Sequence, residues 1–198
     1  MTKLQLSDIV DLREYERQRE DFRKSIIALK YLRRISLGDL ITVVFENRET
    51  IRFQIQEMAR AEKMLRDEQI ETELAIYNPM IPEKGELKAT LFLELTSKDQ
   101  LQEWLPALVG IEKSVYLEVG TGSKSRRIKS RPESEHESQL TREDVTASVH
   151  YIQWILEDEV QTRMIDERVF LGIDHHRYNA RVELSKPSVE SLISDWRS

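Results

Sequence analysis

Ile41-Thr42-Val43-Val44-Phe45-Glu46-Asn47-Arg48-Glu49-Thr50 is the stretch that sets the fold class. Its β-branched run suits a strand in a sheet buried on both faces. Asn47 then offers a side-chain oxygen to the first free amides of a helix, and Glu46 or Glu49 is favoured by the helix dipole. Reading outward, the strand extends back to Ile35 through a glycine, and the helix runs on past Arg60. At about 100° per residue, Ile51, Ile55, Met58 and Leu65 share one helical face, with Glu62 among them. Phe53 and Met64 lie nearly opposite, so this helix is covered on two sides or faces a partner subunit.

Upstream, Leu12 to Arg33 reads as one helix with a stripe at Leu12, Tyr15, Arg19, Phe22, Ile26, Leu29 and Arg33. Two arginines interrupt that stripe. Either they lay their methylene stems on apolar surface and send their heads to water, or they meet a carboxylate beneath the helix. Glu62 interrupts the second seam in the same way, and an unpaired buried charge is costly. The expectation is a buried ion pair of Glu62 with Arg19, or with Arg33 as second choice.

Downstream, Tyr77-Asn78-Pro79-Met80-Ile81-Pro82 stops any helix. A weak duplication follows. Lys88 to Glu94 reads as a strand, Lys98 to Leu108 as an amphipathic helix and Val115 to Gly120 as a strand. Thr146 to Ile152, Asp158 to Asp166 and Val169 to Asp174 repeat the order. If their strands are parallel neighbours, both units are right-handed crossovers. The expected architecture is α+β: a single domain over residues 1–198, a mixed β-sheet, long N-terminal helices and two strand-helix-strand units. Between the units, residues 120–142 read as a mobile charged loop, passing from Lys124, Arg126, Arg127, Lys129 and Arg131 to Glu133, Glu135 and Glu137. The sharper reading gives the basic half contact with phosphate or an acidic partner. Asn179 to Leu184 reads as an edge strand, and a terminal helix follows Lys186-Pro187-Ser188.

With 198 residues, 39% of them hydrophobic, the chain is long enough to bury one substantial core. A net charge of -6 argues against general nucleic-acid or anionic-membrane binding, both of which need a basic surface. Zero cysteines exclude disulfides, thiol nucleophiles and cysteine-held zinc or iron-sulfur centres within the chain. No stretch approaches the roughly 20 apolar residues of a membrane span, and the first twelve residues lack a signal-peptide core. A soluble cytoplasmic protein is expected.

Candidate ligand-binding residues cluster around the capped helix: Glu46, Asn47, Arg48, Gln56, Glu57, Arg60 and Asn78. Arg48 or Arg60 would hold an anion, with Glu57 or Glu62 as base or metal ligand. Capping and ordinary helical spacing explain part of this pattern by themselves. Candidate metal ligands are Glu57, His150, Asp174 and His175, whereas His136 in the polar loop reads as solvent-exposed. Adjacent His175 and His176 point to opposite faces of a strand and cannot grip one ion without a bend. His150 could join His175 only if their strands run antiparallel or bend sharply. No Glu-x-x-His on a helix, nucleophile elbow, phosphate-binding glycine loop or dinucleotide fingerprint is present.

The segments Phe45 to Thr50, Gln54 to Met58, Tyr77 to Pro82, Leu87 to Leu91, Ser148 to Tyr151 and Leu171 to His175 together resemble an uncharacterised bacterial family known only as a domain of unknown function. Met80 and the long charged loop depart from its pattern. The resemblance implies no particular activity. Its members are often encoded beside rubrerythrin-like and iron-sulfur proteins, which implies a link to redox or peroxide stress. The resulting expectation is an accessory protein that binds a small anionic ligand or a redox partner protein near Asn47 to Arg60. A metal-dependent enzyme and a structural homodimer are the alternatives.

Overall fold

The structure, a computed structural model, describes residues 2–133 and 145–196. Helix α1, Leu12–Arg33, is capped by Asp11, whose carboxylate accepts from the amides of Arg13 and Glu14. It leads into a hairpin of β1, Arg34–Leu37, and β2, Ile41–Phe45. The single strand expected from Ile35 to Phe45 is therefore two. Gly38 takes the left-handed turn conformation at φ +70°, and a Cβ there would lie 2.3 Å from the Tyr178 hydroxyl. Leu37 and Ile41 pair across the turn.

Asn47 caps α2, Arg48–Ala61, by accepting from the amides of Glu49 and Thr50. Helix α3, Asp67–Tyr77, follows. The remaining elements are β3, Glu86–Leu93; α4, Lys98–Ala107; β4, Val115–Val119; β5, Arg126–Lys129; β6, Arg131–Pro132; β7, Val149–Ile155; α5, Asp158–Asp166; β8, Val169–His175; β9, Tyr178–Glu183; and α6, Lys186–Ser194.

The fold is a single α+β domain, but its strands do not form one mixed sheet. A five-stranded sheet has the order β1-β2-β3-β7-β6, and a four-stranded sheet the order β5-β4-β8-β9. Every strand pair among the described residues is antiparallel. The two strand-helix-strand units exist, yet each crosses between sheets: β3 to β4 through α4, and β7 to β8 through α5. Their equivalent strands are the ones that pair, β3 with β7 and β4 with β8. Crossover handedness therefore does not apply, because the two strands of a unit never share a sheet.

One apolar core joins the inner faces of both sheets, with Val43, Leu91, Ile152 and Trp154 from the first and Leu117, Val119, Leu171 and Ile173 from the second. A second cluster, including Ile51, Ile55, Ala59, Ile70 and Leu74, packs under the helices. Strand β2 is buried at every position because helices cover one of its faces and the other sheet covers the opposite one. Phe53 of α2 meets Phe22 of α1 edge-on at 5.6 Å, so α2 is covered on two sides within its own chain.

The basic half of the expected charged loop is ordered strand. Strand β5 pairs with β4 from Tyr116↔Lys129 to Val119↔Arg126, and β6 pairs with β7. Dense charge here marks exposed sheet edges rather than unstructured chain. Glu133 is buried, and the rest of that expected loop, with Glu135, His136 and Glu137, lies outside the described residues.

Candidate functional site

The charges of the α1–α2 seam are matched pair by pair. Arg19 grips Glu57 with two parallel bonds, Nε to Oε1 at 2.7 Å and Nη2 to Oε2 at 2.8 Å, and the Tyr15 hydroxyl donates to the same carboxylate at 2.6 Å. The Arg19 hydrogen bonds hold Glu57 down at about 2, against the opposing effect of burial. Arg60 is bound to Glu16, and Arg48 to Asp8 at 2.7 Å. Gln56 both donates to and accepts from the backbone of Val10, and Asn78 does the same to Leu4. These side chains fasten the N-terminal segment to the helices.

Glu62 does not take part. Helix α2 ends at Ala61, Glu62 is its C-cap, and Lys63 turns the chain away at φ 53°. Periodicity carried past that end placed Glu62 in a seam, whereas its side chain is exposed. Both arginines singled out in α1 do meet carboxylates, but Arg19 meets Glu57. Arg33 meets Asp195 of the C-terminal segment at 2.7 Å, their side chains 1% and 3% exposed. Arg33 also donates to the Ser191 carbonyl at 2.6 Å, and Asn47 donates to Asp195 at 3.2 Å. Burial pushes Asp195 up while Arg33 pulls it down, with burial the larger effect.

Glu46 is buried and accepts hydroxyl bonds from Thr50 at 2.5 Å and Thr90 at 2.7 Å. Near it Tyr151, hydrogen-bonded to Gln54 and Tyr77, is pushed up to about 12, chiefly by burial. Thus Glu46, Asn47, Arg48, Gln56, Glu57, Arg60 and Asn78 do not aim into one cleft. A cavity of about 360 Å³ does lie along the seam, lined by Asp8, Tyr15, Phe22, Arg52 and Gln56. Arg48, Glu57 and Arg60 are not among its walls.

The candidate metal ligands are also apart. His150 on β7 is buried, with Nε2 at 2.9 Å from both the Thr146 hydroxyl and the Ala147 carbonyl; a carbonyl only accepts, so Nε2 carries the proton. Burial lowers its pKa, and the nearby Glu112 opposes that shift. His175, in the other sheet, spends Nε2 on the Val109 carbonyl and Nδ1 on the Arg177 amide. Asp174 is exposed, and Glu57 belongs to the helical layer. A joint His150–His175 site is not formed, because the His150 Nε2 is spent on the Ala147 carbonyl and both His175 ring nitrogens on backbone groups. No group of three or more His, Asp or Glu among the described residues is placed to hold a metal ion.

The open site lies where β5 passes into β6, from the edge of one sheet to the edge of the other. Ser130 anchors that passage, its amide donating to the Val115 carbonyl at 2.7 Å and its hydroxyl to the Glu112 carbonyl at 2.7 Å. Residues 126–131 line a cavity of about 450 Å³ together with Ile155, Glu157 and the buried Val160. Arg126 is 60% exposed and pairs loosely with Glu157 at 3.5 Å. Arg127 turns to the outer sheet face, where it binds Glu118 at 3.1 Å and lies over the Tyr116 ring. Lys129 and Arg131 are exposed and form no ion pair among the described residues. The basic run was visible in the sequence. The sign of its strand character was Ile128, the lone apolar residue in the run, which packs against the core.

Among the described residues no helix is long and apolar enough to cross a membrane. None of the curated proteins matches the chain. A Burkholderia pseudomallei protein, whose crystal structure is described as that of a novel protein of unknown function, is similar at 29% identity, with a TM-score of 0.87 over 98% of this chain and 99% of its own. The model of the family described as "Protein of unknown function (DUF3501)" matches residues 3–196. The match runs through the helical seam, both sheets and the basic edge alike, and the chain belongs to this family.

Proposed function

We propose that this is a cytoplasmic accessory protein that binds an anionic ligand, or the acidic surface of a redox partner, through the β5–β6 groove. The observation that carries this reading is the state of its cations. Lys129 and Arg131 stand exposed beside a cavity without a partner acid among the described residues, while Arg19, Arg33, Arg48 and Arg60 are each consumed by a carboxylate. Unpaired cations on a concave surface attract anions from a distance and retain their hydration until a ligand replaces it. The family resemblance, with its rubrerythrin-like neighbours, supports a partner in peroxide or redox stress. The absence of cysteine supports an accessory role in which redox chemistry resides on that partner.

Titration of the full chain with poly-glutamate, a stand-in for an acidic partner surface, tests the reading by calorimetry at low and physiological ionic strength. Binding should weaken as salt rises. The triple variant R126A/K129A/R131A should bind about tenfold or more weakly, while Arg60→Ala binds as the parent does. Unchanged binding by the triple variant, or a loss confined to Arg60→Ala, would return the site to α2.

A further inference from the structure

The turn between α2 and α3 holds an apolar side chain out into water beside an apolar hollow. Leu65 is 81% exposed, and it lines a cavity of about 170 Å³ together with the half-buried Leu6, Ile9 and Leu12 and the buried Met64 and Ile70. Single exposed leucines are ordinary, but this one continues an apolar patch and leaves the hollow beside it unfilled. The protrusion is set by the backbone. Lys63 takes the left-handed conformation at φ 53°, the Met64 amide donates to the Ala59 carbonyl at 2.9 Å, and Gln69 Oε1 accepts from the amides of Leu65 and Arg66 at 3.3 Å each. An ordered turn loses little further backbone freedom when its side chain is covered. Next to Leu65, Arg66 and Asp67 line the same cavity, both exposed and neither in an ion pair among the described residues.

These features narrow the occupant. The hollow is smaller than the roughly 300–1,000 Å³ of small-molecule sites. It is close to the roughly 150 Å³ in which an apolar cavity takes up a benzene ring, which suits one branched aliphatic side chain. A uniformly basic or acidic partner would satisfy one of the two neighbouring charges and oppose the other. We infer that this surface pairs with a second copy of the chain about a two-fold axis: Leu65 of each copy enters the hollow of the other, and Arg66 of each meets Asp67 of the other. A two-fold contact needs every knob and its hole, and every cation and its anion, on one patch, and residues 65–67 with the hollow supply all four. An apolar anchor seated in a pocket is the kind of centre that dominates binding energy at interfaces. The patch shares no residue with the β5–β6 groove, so the inference stands apart from the anion-binding reading.

Sedimentation equilibrium of the full chain tests it. The parent should dimerise in the micromolar range or tighter. Leu65→Asp removes two knobs from each dimer and should raise the dissociation constant about a hundredfold or more. R66D should weaken the dimer by about tenfold, and R66D/D67R should return it to near the parent's affinity, because the exchanged charges again face their opposites. Ile27→Asp, which places a charge on the exposed face of α1, should leave it unchanged. All four positions are exposed, so each variant should keep the parent's circular dichroism spectrum. A parent that stays monomeric through the micromolar range would overturn the inference, whether Leu65 then covers its own hollow or the surface serves a different partner. A dimer indifferent to Leu65→Asp, one dissolved by Ile27→Asp, or a double swap as weak as R66D would overturn it equally.

Discussion

The α1–α2 seam and the β5–β6 edge are built from the same residue types and do opposite things with them. In the seam, arginines and acids face one another across two packed helices, and each guanidinium has met a carboxylate of its own chain. At the edge, Arg126 and Arg127 reach Glu157 and Glu118, whereas Lys129 and Arg131 are exposed with no ion-pair partner among the described residues. Clustered charge is therefore a poor locator of function by itself. What separates the two regions is whether each cation meets a carboxylate among the described residues.

The comparison breaks most visibly if charges deep in the fold prove dispensable. Asp195→Ala leaves Arg33 buried without its carboxylate and should destabilise by about 3–5 kcal/mol in denaturant unfolding. A loss below about 1 kcal/mol would mean that Arg33 escapes to water. Gln56→Ala strands both backbone groups of Val10 and should cost roughly 1–3 kcal/mol, with faster hydrogen exchange in the first ten residues. Unchanged exchange there would show that the N-terminal segment is held by its apolar contacts alone.

A smaller effect should appear in acid. Glu57 sits at about 2 in the fold against an ordinary value of 4.5, so its stabilising contribution is complete above the ordinary value and is lost as pH falls toward 2. Glu57→Gln should lower stability at neutral pH by about 1 kcal/mol, discounted for its partial exposure, and flatten the acid limb of the stability profile. Parallel acid limbs for variant and parent would remove the Arg19–Glu57 fork from the account. At the small end, Glu62→Ala should stay within about 0.5 kcal/mol of the parent, as should Lys129→Ala and Arg131→Ala, although the last two should weaken anion binding.

Local signals made most elements legible. Helix α1 has the limits its apolar stripe indicated, Asn47 caps α2, and α5 spans Asp158–Asp166 as its pattern implied. Caps and helical period are local properties, so a single sequence exposes them. Strand pairing is not local. The duplicated units were visible, but nothing in their period says that β3 and β4 enter different sheets, and that division places His150 and His175 in different sheets. The ion pairs failed in a similar way. Both arginines stood out because they broke a stripe, whereas Asp195 lies 162 residues from Arg33 and interrupts no pattern pointing back to it. At the groove, the basic run was legible and its ordered strand was not, because a short edge strand paired on one side needs only one inward apolar residue, Ile128.

Backbone amide NMR of the full chain titrated with poly-glutamate tests most directly whether the edge, and not the helical seam, is the binding surface. The expected result is a saturable set of shift changes confined to residues 126–131 and 155–160, with those of 48–60 and 78 unmoved. Shifts centred on Arg48 to Arg60, or none that saturate, would contradict it.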